Sequence, residues 1–324
     1  MYATATATLR YADRHAGLRD AGFYRTVFDL AVSTVGIGTY LNASVDALLA
    51  AGEGGINFFD TAINYRQQQS ERDIGAALGR LQRDETVICT KAGFLTPGAV
   101  PDFLKAADVA GGMHSMAPDF LADQIERSRA NLGVDTIDVF YLHNPEMQLG
   151  FVRREEFEAR IRRAFARLEQ LADAQKIRWY GAATWDGFRK PGQLSLPRLA
   201  GIAADVGGPN HRFRFIQLPF NLGMVEAYVG QPESVLQQAA RLGVAVVASA
   251  SLMQAKVLEQ MPEAVTGLLP GLATDAQRAI QFTRSTPGIA VALVGMGRRE
   301  HVVDNLGVGR VLPAGLADYA RFYE

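Results

Sequence analysis

Cysteine is almost missing from this chain: Cys89 is the only one in 324 residues. A lone thiol excludes an intramolecular disulfide and a cysteine-rich metal site, and it fits a reducing compartment, so a cytoplasmic protein is expected. Long hydrophobic runs are missing too. Nowhere do about 18 uncharged apolar residues follow one another, the length a membrane-crossing helix needs. The opening MYATATATLRYADRHAGLRD has neither the basic start nor the apolar core of a secretory signal. Nor is one sign of charge in excess, since 33 Lys plus Arg face 34 Asp plus Glu. With no net field to draw it toward nucleic acid or anionic lipid, the chain is expected to meet a small molecule. Low complexity is confined to the Thr-Ala alternation at residues 3–8, and residues 1–25 are expected to form a mobile N-terminal extension.

What is present is apolar material in a repeating order. Hydrophobic residues make up 48% of the chain and charged residues 21%, enough for a large core. Eight short apolar runs read as strands, at 30–38, 55–60, 86–91, 137–143, 177–184, 213–219, 244–249 and 289–295. Most are continuous in hydrophobicity, as parallel strands covered on both faces should be. Between them lie segments of helical period. Ser70 is positioned to cap 71–81, Ser115 and Pro118 precede a helix that Gly133 ends, and Phe157, Ile161, Phe165, Leu168 and Leu171 form one apolar stripe. Further helices are expected over 197–206, 234–242, 274–286 and 300–306. No linker divides the series, so the expectation is one α/β domain over residues 1–324, a single (β/α)8 TIM barrel with an enlarged loop, 92–116, after the third strand.

In such a barrel the site lies where strands end. Asp60 ends the second strand, Lys91 the third and His143 the fourth, while Tyr65 follows in the second loop. A phenol titrates near about 10 and is a poor acid at neutral pH. A lysine ammonium beside it favours proton release, an aspartate holds that lysine charged, and a histidine can hydrogen-bond the oxygen being reduced. The set suits proton delivery to an alkoxide formed when a cofactor's hydride reaches a carbonyl carbon.

The segments GINFFDTAINY, VICTK, IDVFYLHNP, FIQLPFNL and VALVGMGRREHVVDNL, in one collinear order from about residue 30 to 306, resemble the aldo-keto reductases. The resemblance implies an NAD(P)H-dependent oxidoreductase that reduces an aldehyde or ketone, with Tyr65, Asp60, Lys91 and His143 as its catalytic tetrad and NADPH, or alternatively NADH, as cofactor. It places cofactor contacts at Thr184, Gln217, Ser249, Gly295, Met296, Arg298, His301 and Asn305. Thr184 follows Ala183 where the family carries Ser-Asn, and Ser249 stands where it carries a ring-stacking Tyr. Met296, Arg298, Arg299 and His301 stand where the family grips a 2′-phosphate.

A substrate pocket is expected from Phe94, Met113, Asn144 and Trp185, with Phe103, His114 and Met116 also in the long third loop. The partner is then a small carbonyl or alcohol; no metal, nucleic acid or membrane is expected, and oligomeric state is left open. Two other readings stand beside this one: a non-catalytic cofactor-binding regulatory subunit of the same fold, and a Schiff-base lyase using Lys91.

Overall fold

The computed structural model describes residues 1–41, 43–259 and 261–323. Eight parallel strands close into a barrel: β1 (Val35–Gly38), β2 (Phe58–Asp60), β3 (Val87–Ala92), β4 (Ile137–His143), β5 (Ile177–Ala183), β6 (Phe213–Pro219), β7 (Ala245–Ser249) and β8 (Ile289–Gly295). Each is followed by a helix: α1 (Val45–Gly54), α2 (Gln69–Leu78), α3 (Pro118–Leu132), α4 (Arg154–Asp173), α5 (Leu196–Gly207), α6 (Val235–Leu242), α7 (Asp275–Ser285) and α8 (Arg299–Leu306). This is the (β/α)8 architecture that the eight apolar runs imply.

The strands sort their side chains by the two-residue period of extended backbone. One set, including Phe59, Ile88, Phe140, Leu142, Ala182, Ile216, Val246 and Val294, packs outward into the layer shared with the helices. The other, including Phe58, Val87, Cys89, Val139, Tyr141, Phe215, Val247 and Val291, fills the barrel interior. Burying each large apolar side chain contributes on the order of 2 kcal/mol. The interior is so full that β1 contributes no bulk to it: a Cβ at Gly36 would lie 2.8 Å from Leu293 Cδ2 and 3.0 Å from Phe58 Cδ1.

The residues ahead of the barrel seal its floor. The run at 30–38, expected as one strand, is two: Leu30–Ser33 pairs antiparallel with Tyr24–Val27 in a hairpin, and Val35–Gly38 enters the barrel. Only the small polar pair Ser33-Thr34 stands at the division, and such residues are also common inside strands. Val27, Leu30 and Val32 of the hairpin join the interior cluster, and the Phe28 ring packs on Trp179 and Phe215 at 5.3 and 5.5 Å. Residues 1–25 do not form the loose extension expected. Thr4 caps the helix Ala5–Arg14, Ala3, Ala7, Tyr11 and Ala12 are buried, and Arg10 and Arg14 both bond Glu85.

Two punctuation marks in the sequence fare differently. Gly133 does end α3, in the left-handed region at φ 66°. Ser70 does not cap: α2 starts one residue earlier, and the Ser70 hydroxyl donates to the Thr39 carbonyl at 3.2 Å. Arg66, Gln67 and Gln68 between Tyr65 and α2 are all left-handed, so the chain turns before the serine can reach a capping geometry.

Candidate active site

The inward set continues to the strand ends, and there it changes chemistry. Stepping by two from Phe58, Cys89, Tyr141, Gly181, Phe215, Val247 and Leu293 gives Asp60, Lys91, His143, Ala183, Gln217, Ser249 and Gly295 at the mouth. Register brings these ends level: Lys91 pairs with Tyr141, His143 with Ala183, and Ala183 with Gln217.

Asp60, Lys91 and Gln217 form a closed network. Lys91 Nζ donates to Asp60 Oδ1 at 2.6 Å and to the Thr61 carbonyl at 2.8 Å, and Gln217 Nε2 donates to Asp60 Oδ2 at 2.8 Å. All three side chains are buried. Burial pulls the ammonium of Lys91 down, but the Asp60 carboxylate, together with Tyr65 and Cys89, holds the lysine above its ordinary value. Desolvating two such charges costs several kcal/mol each, and even good geometry does little more than offset that. Folding therefore gives no reason for the pair.

Tyr65 stands beside this network, with Lys91 Nζ 5.3 Å from its ring centroid. Burial raises the phenol above its ordinary value and Lys91 acts against the rise. The rings of Tyr40 and His143 meet it edge-on at 5.1 and 5.8 Å. His143 is driven well below its ordinary value by burial, then by Lys91 and His114, so its ring is neutral at neutral pH. Its Nδ1 is buried with no partner among the described residues.

Of the expected pocket residues, Phe94 packs against His143, edge-on at 4.9 Å. Asn144 is left-handed at φ 51°, its N–H bonded to the Ala183 carbonyl at 2.6 Å. Met113 and Trp185 stand at the rim, each 46% exposed. The expected cofactor residues are more dispersed. The Thr184 hydroxyl faces the Gln217 carbonyl at 3.5 Å, and Ser249 and Gly295 close their strands with little or no side chain. The Met296 side chain is packed in the core, so its backbone is the part that a ligand could meet. Arg298 and His301 are exposed and 3.0 Å apart at the start of α8, Arg299 is drawn to Asp46 at 3.3 Å, and Asn305 is buried.

Three side chains shape the site without having been read as part of it. His114 Nε2 donates to the His143 carbonyl at 2.8 Å, and Gln148 Nε2 donates to His114 Nδ1 at 3.0 Å. A carbonyl can only accept, so the proton is on Nε2 and His114 is neutral. Burial takes it down to about 4. The long third loop is thereby tied beneath His143. Gly93 makes the tie sterically feasible, since a Cβ there would lie 2.5 Å from His114 Nε2. The third residue, Glu146, accepts the N–H groups of Trp185, Asp186 and Gly187; burial raises its carboxyl and those bonds pull it back. No spacing rule links either His114 or Glu146 to a partner more than 25 residues away. Cys89 is buried, and burial pushes its thiol well up. Among the described residues no group of His, Cys, Asp and Glu could hold a metal ion.

Comparison with known proteins gives one family. The profile of the Aldo/keto reductase family matches residues 39–261. An NADH-specific methylglyoxal reductase from Escherichia coli is 29% identical over 171 residues, 49% of this chain and 50% of that one. A D-threo-aldose 1-dehydrogenase from a Pseudomonas species is 35% identical over 138 residues, 38% of each chain. The matched stretch thus spans half or less of these two relatives. Among solved structures, an aldo-keto reductase from Bacillus halodurans in its holo form superposes with a TM-score of 0.67 at 20% identity, covering 93% of this chain and 95% of that one. One from Klebsiella pneumoniae, in complex with NADP and acetate, gives 0.66 at 22%, covering 92% and 94%. At such identities the likeness is one of fold.

Proposed function

The chain belongs to the aldo/keto reductase family, and from that premise we propose that it is an NAD(P)H-dependent oxidoreductase reducing an aldehyde or ketone to an alcohol, with Tyr65 as the acid. The observation that carries the reading is the buried Lys91–Asp60 pair at 2.6 Å beside the Tyr65 phenol. It does little for stability, yet it is what a phenol needs to release a proton near neutral pH.

The division of labour follows from the environments. Asp60, held by Gln217, keeps Lys91 protonated, and Lys91 stabilises the phenolate that Tyr65 becomes as it protonates the substrate oxygen. His143, neutral, offers a ring N–H to orient that oxygen and does not compete as an acid. Phe94 and Tyr40 give the carbonyl an apolar surround, which strengthens these electrostatic interactions. The nicotinamide cofactor, when bound, supplies the hydride. The exposed Arg298 guanidinium and His301 ring at the helix start are chemically suited to a 2′-phosphate, so NADPH is the preferred cofactor and NADH the alternative. Ser249, Gly295 and the backbone of Met296 would line the rest of its seat, with Asn305 behind them. A lysine held as an ammonium is a poor nucleophile, which counts against the Schiff-base reading.

The test is turnover of a carbonyl panel with NADPH and with NADH, followed by loss of the reduced cofactor's absorbance. Tyr65→Phe should lower kcat by roughly 100- to 10,000-fold. Unchanged turnover in that variant would remove Tyr65 from its role. Tight cofactor binding without turnover over the whole panel would favour the regulatory-subunit reading.

A further inference from the structure

Directly after His143 the chain enters a short 3-10 turn, Pro145–Gly150. Glu146 in this turn is 6% exposed, yet among the described residues no cation bonds its carboxylate. Its Oε1 accepts three successive backbone N–H groups of the loop after β5, from Trp185 at 2.9 Å, Asp186 at 3.1 Å and Gly187 at 3.2 Å. Its Oε2 is buried without a partner among the described residues. A buried carboxylate is costly, and a neutral acceptor or a tight turn could have satisfied three loop amides. Here the oxygen fixes the position of one loop relative to the next strand end.

What that loop carries explains why its position matters. Asp186 points its carboxylate to Lys190 and Arg189, and Gly187 has no side chain. Trp185 is left as the large apolar group of the turn, half exposed. It lies two residues beyond Ala183, which pairs with His143.

We propose that Glu146 is a positioning residue for substrate selection: it fixes the backbone of Trp185 so that the indole forms a wall of the mouth beside His143, favouring carbonyl substrates with a broad apolar body over two- or three-carbon aldehydes. The proposal rests on the carbonyl-reductase reading above. Glu146 touches no reacting atom and acts through Trp185.

The experiment uses the full chain with Trp179→Phe as background, which leaves Trp185 as the sole indole. In that background Glu146→Ala should move Trp185 emission to longer wavelength and increase its quenching by acrylamide. Glu146→Gln, which keeps one acceptor oxygen and the shape, should do so less, and it carries the test if the alanine variant does not fold. Glu146→Ala should raise KM for an arylaldehyde about ten-fold, with a smaller change in kcat, and should leave the ratio between that aldehyde and a three-carbon one reduced. In a Trp185→Ala background the same substitution should change the ratio no further. Unaltered emission in both variants, or an equal loss with Trp185 already removed, overturns the proposal. A wild-type protein that reduces no carbonyl overturns the selection role together with the reading beneath it, and the emission measurement, which needs no substrate, tells the two failures apart.

Discussion

The two arcs of the barrel mouth are built differently. Along β2 to β4 the inward strand-end residues are Asp60, Lys91 and His143, all buried, with the first two bonded to each other. Along β5 to β8 the equivalent positions hold Ala183, Gln217, Ser249 and Gly295, and only Gln217 reaches far, crossing to Asp60. One arc has its charges compensated by protein before anything binds. The other offers small side chains and backbone, with the Arg298 guanidinium and the His301 ring exposed beyond it. Under the proposed function, the contrast predicts that damage to the first arc disturbs folding and chemistry while damage to the second disturbs binding.

The largest effect should follow Asp60→Asn. An amide has one acceptor oxygen where Lys91 and Gln217 each need one, and it leaves a buried ammonium without its anion. The expected loss is about 4 kcal/mol in urea unfolding, together with turnover. If stability stays intact, the first arc is not the compensated unit described. Second is acid sensitivity at His114. Burial lowers its pKa from 6.5 to about 4 in the fold, where the neutral ring uses both of its nitrogens. A lowered histidine contributes stability that is fully present above its unfolded value, about 6.5, and lost as pH falls toward 4. The stability difference between wild type and His114→Gln should therefore shrink by about 2 kcal/mol from pH 7 to pH 5. A difference independent of pH would detach the third loop from His143. The smallest effect belongs to the second arc: Arg298→Ala should raise KM for NADPH about ten-fold, the value of one charge-assisted contact, and leave NADH and unfolding unchanged. Equal effects on both cofactors would erase the contrast.

The barrel was legible in the sequence because its strands are apolar runs that end in polar residues, and because one parity of each run leads to the mouth. Asp60, Lys91, His143 and Gln217 share that parity with interior residues on their own strands, so their convergence follows from the two-residue period once eight parallel strands are granted. The failures have equally local causes. The run 30–38 carried no polar residue strong enough to show the hairpin leaving the barrel, and Ser70 was displaced from its expected cap by three left-handed residues that no composition rule announces. His114, Gln148 and Glu146 were illegible as a group because each bonds across a loop closure, where sequence separation says nothing of distance.

The hairpin at Tyr24–Ser33 has a consequence for traffic. With Val27, Leu30 and Val32 pressed into the underside of the barrel, the cylinder is a cup rather than a tube. A cup has one doorway, so whatever enters leaves by the route it came in.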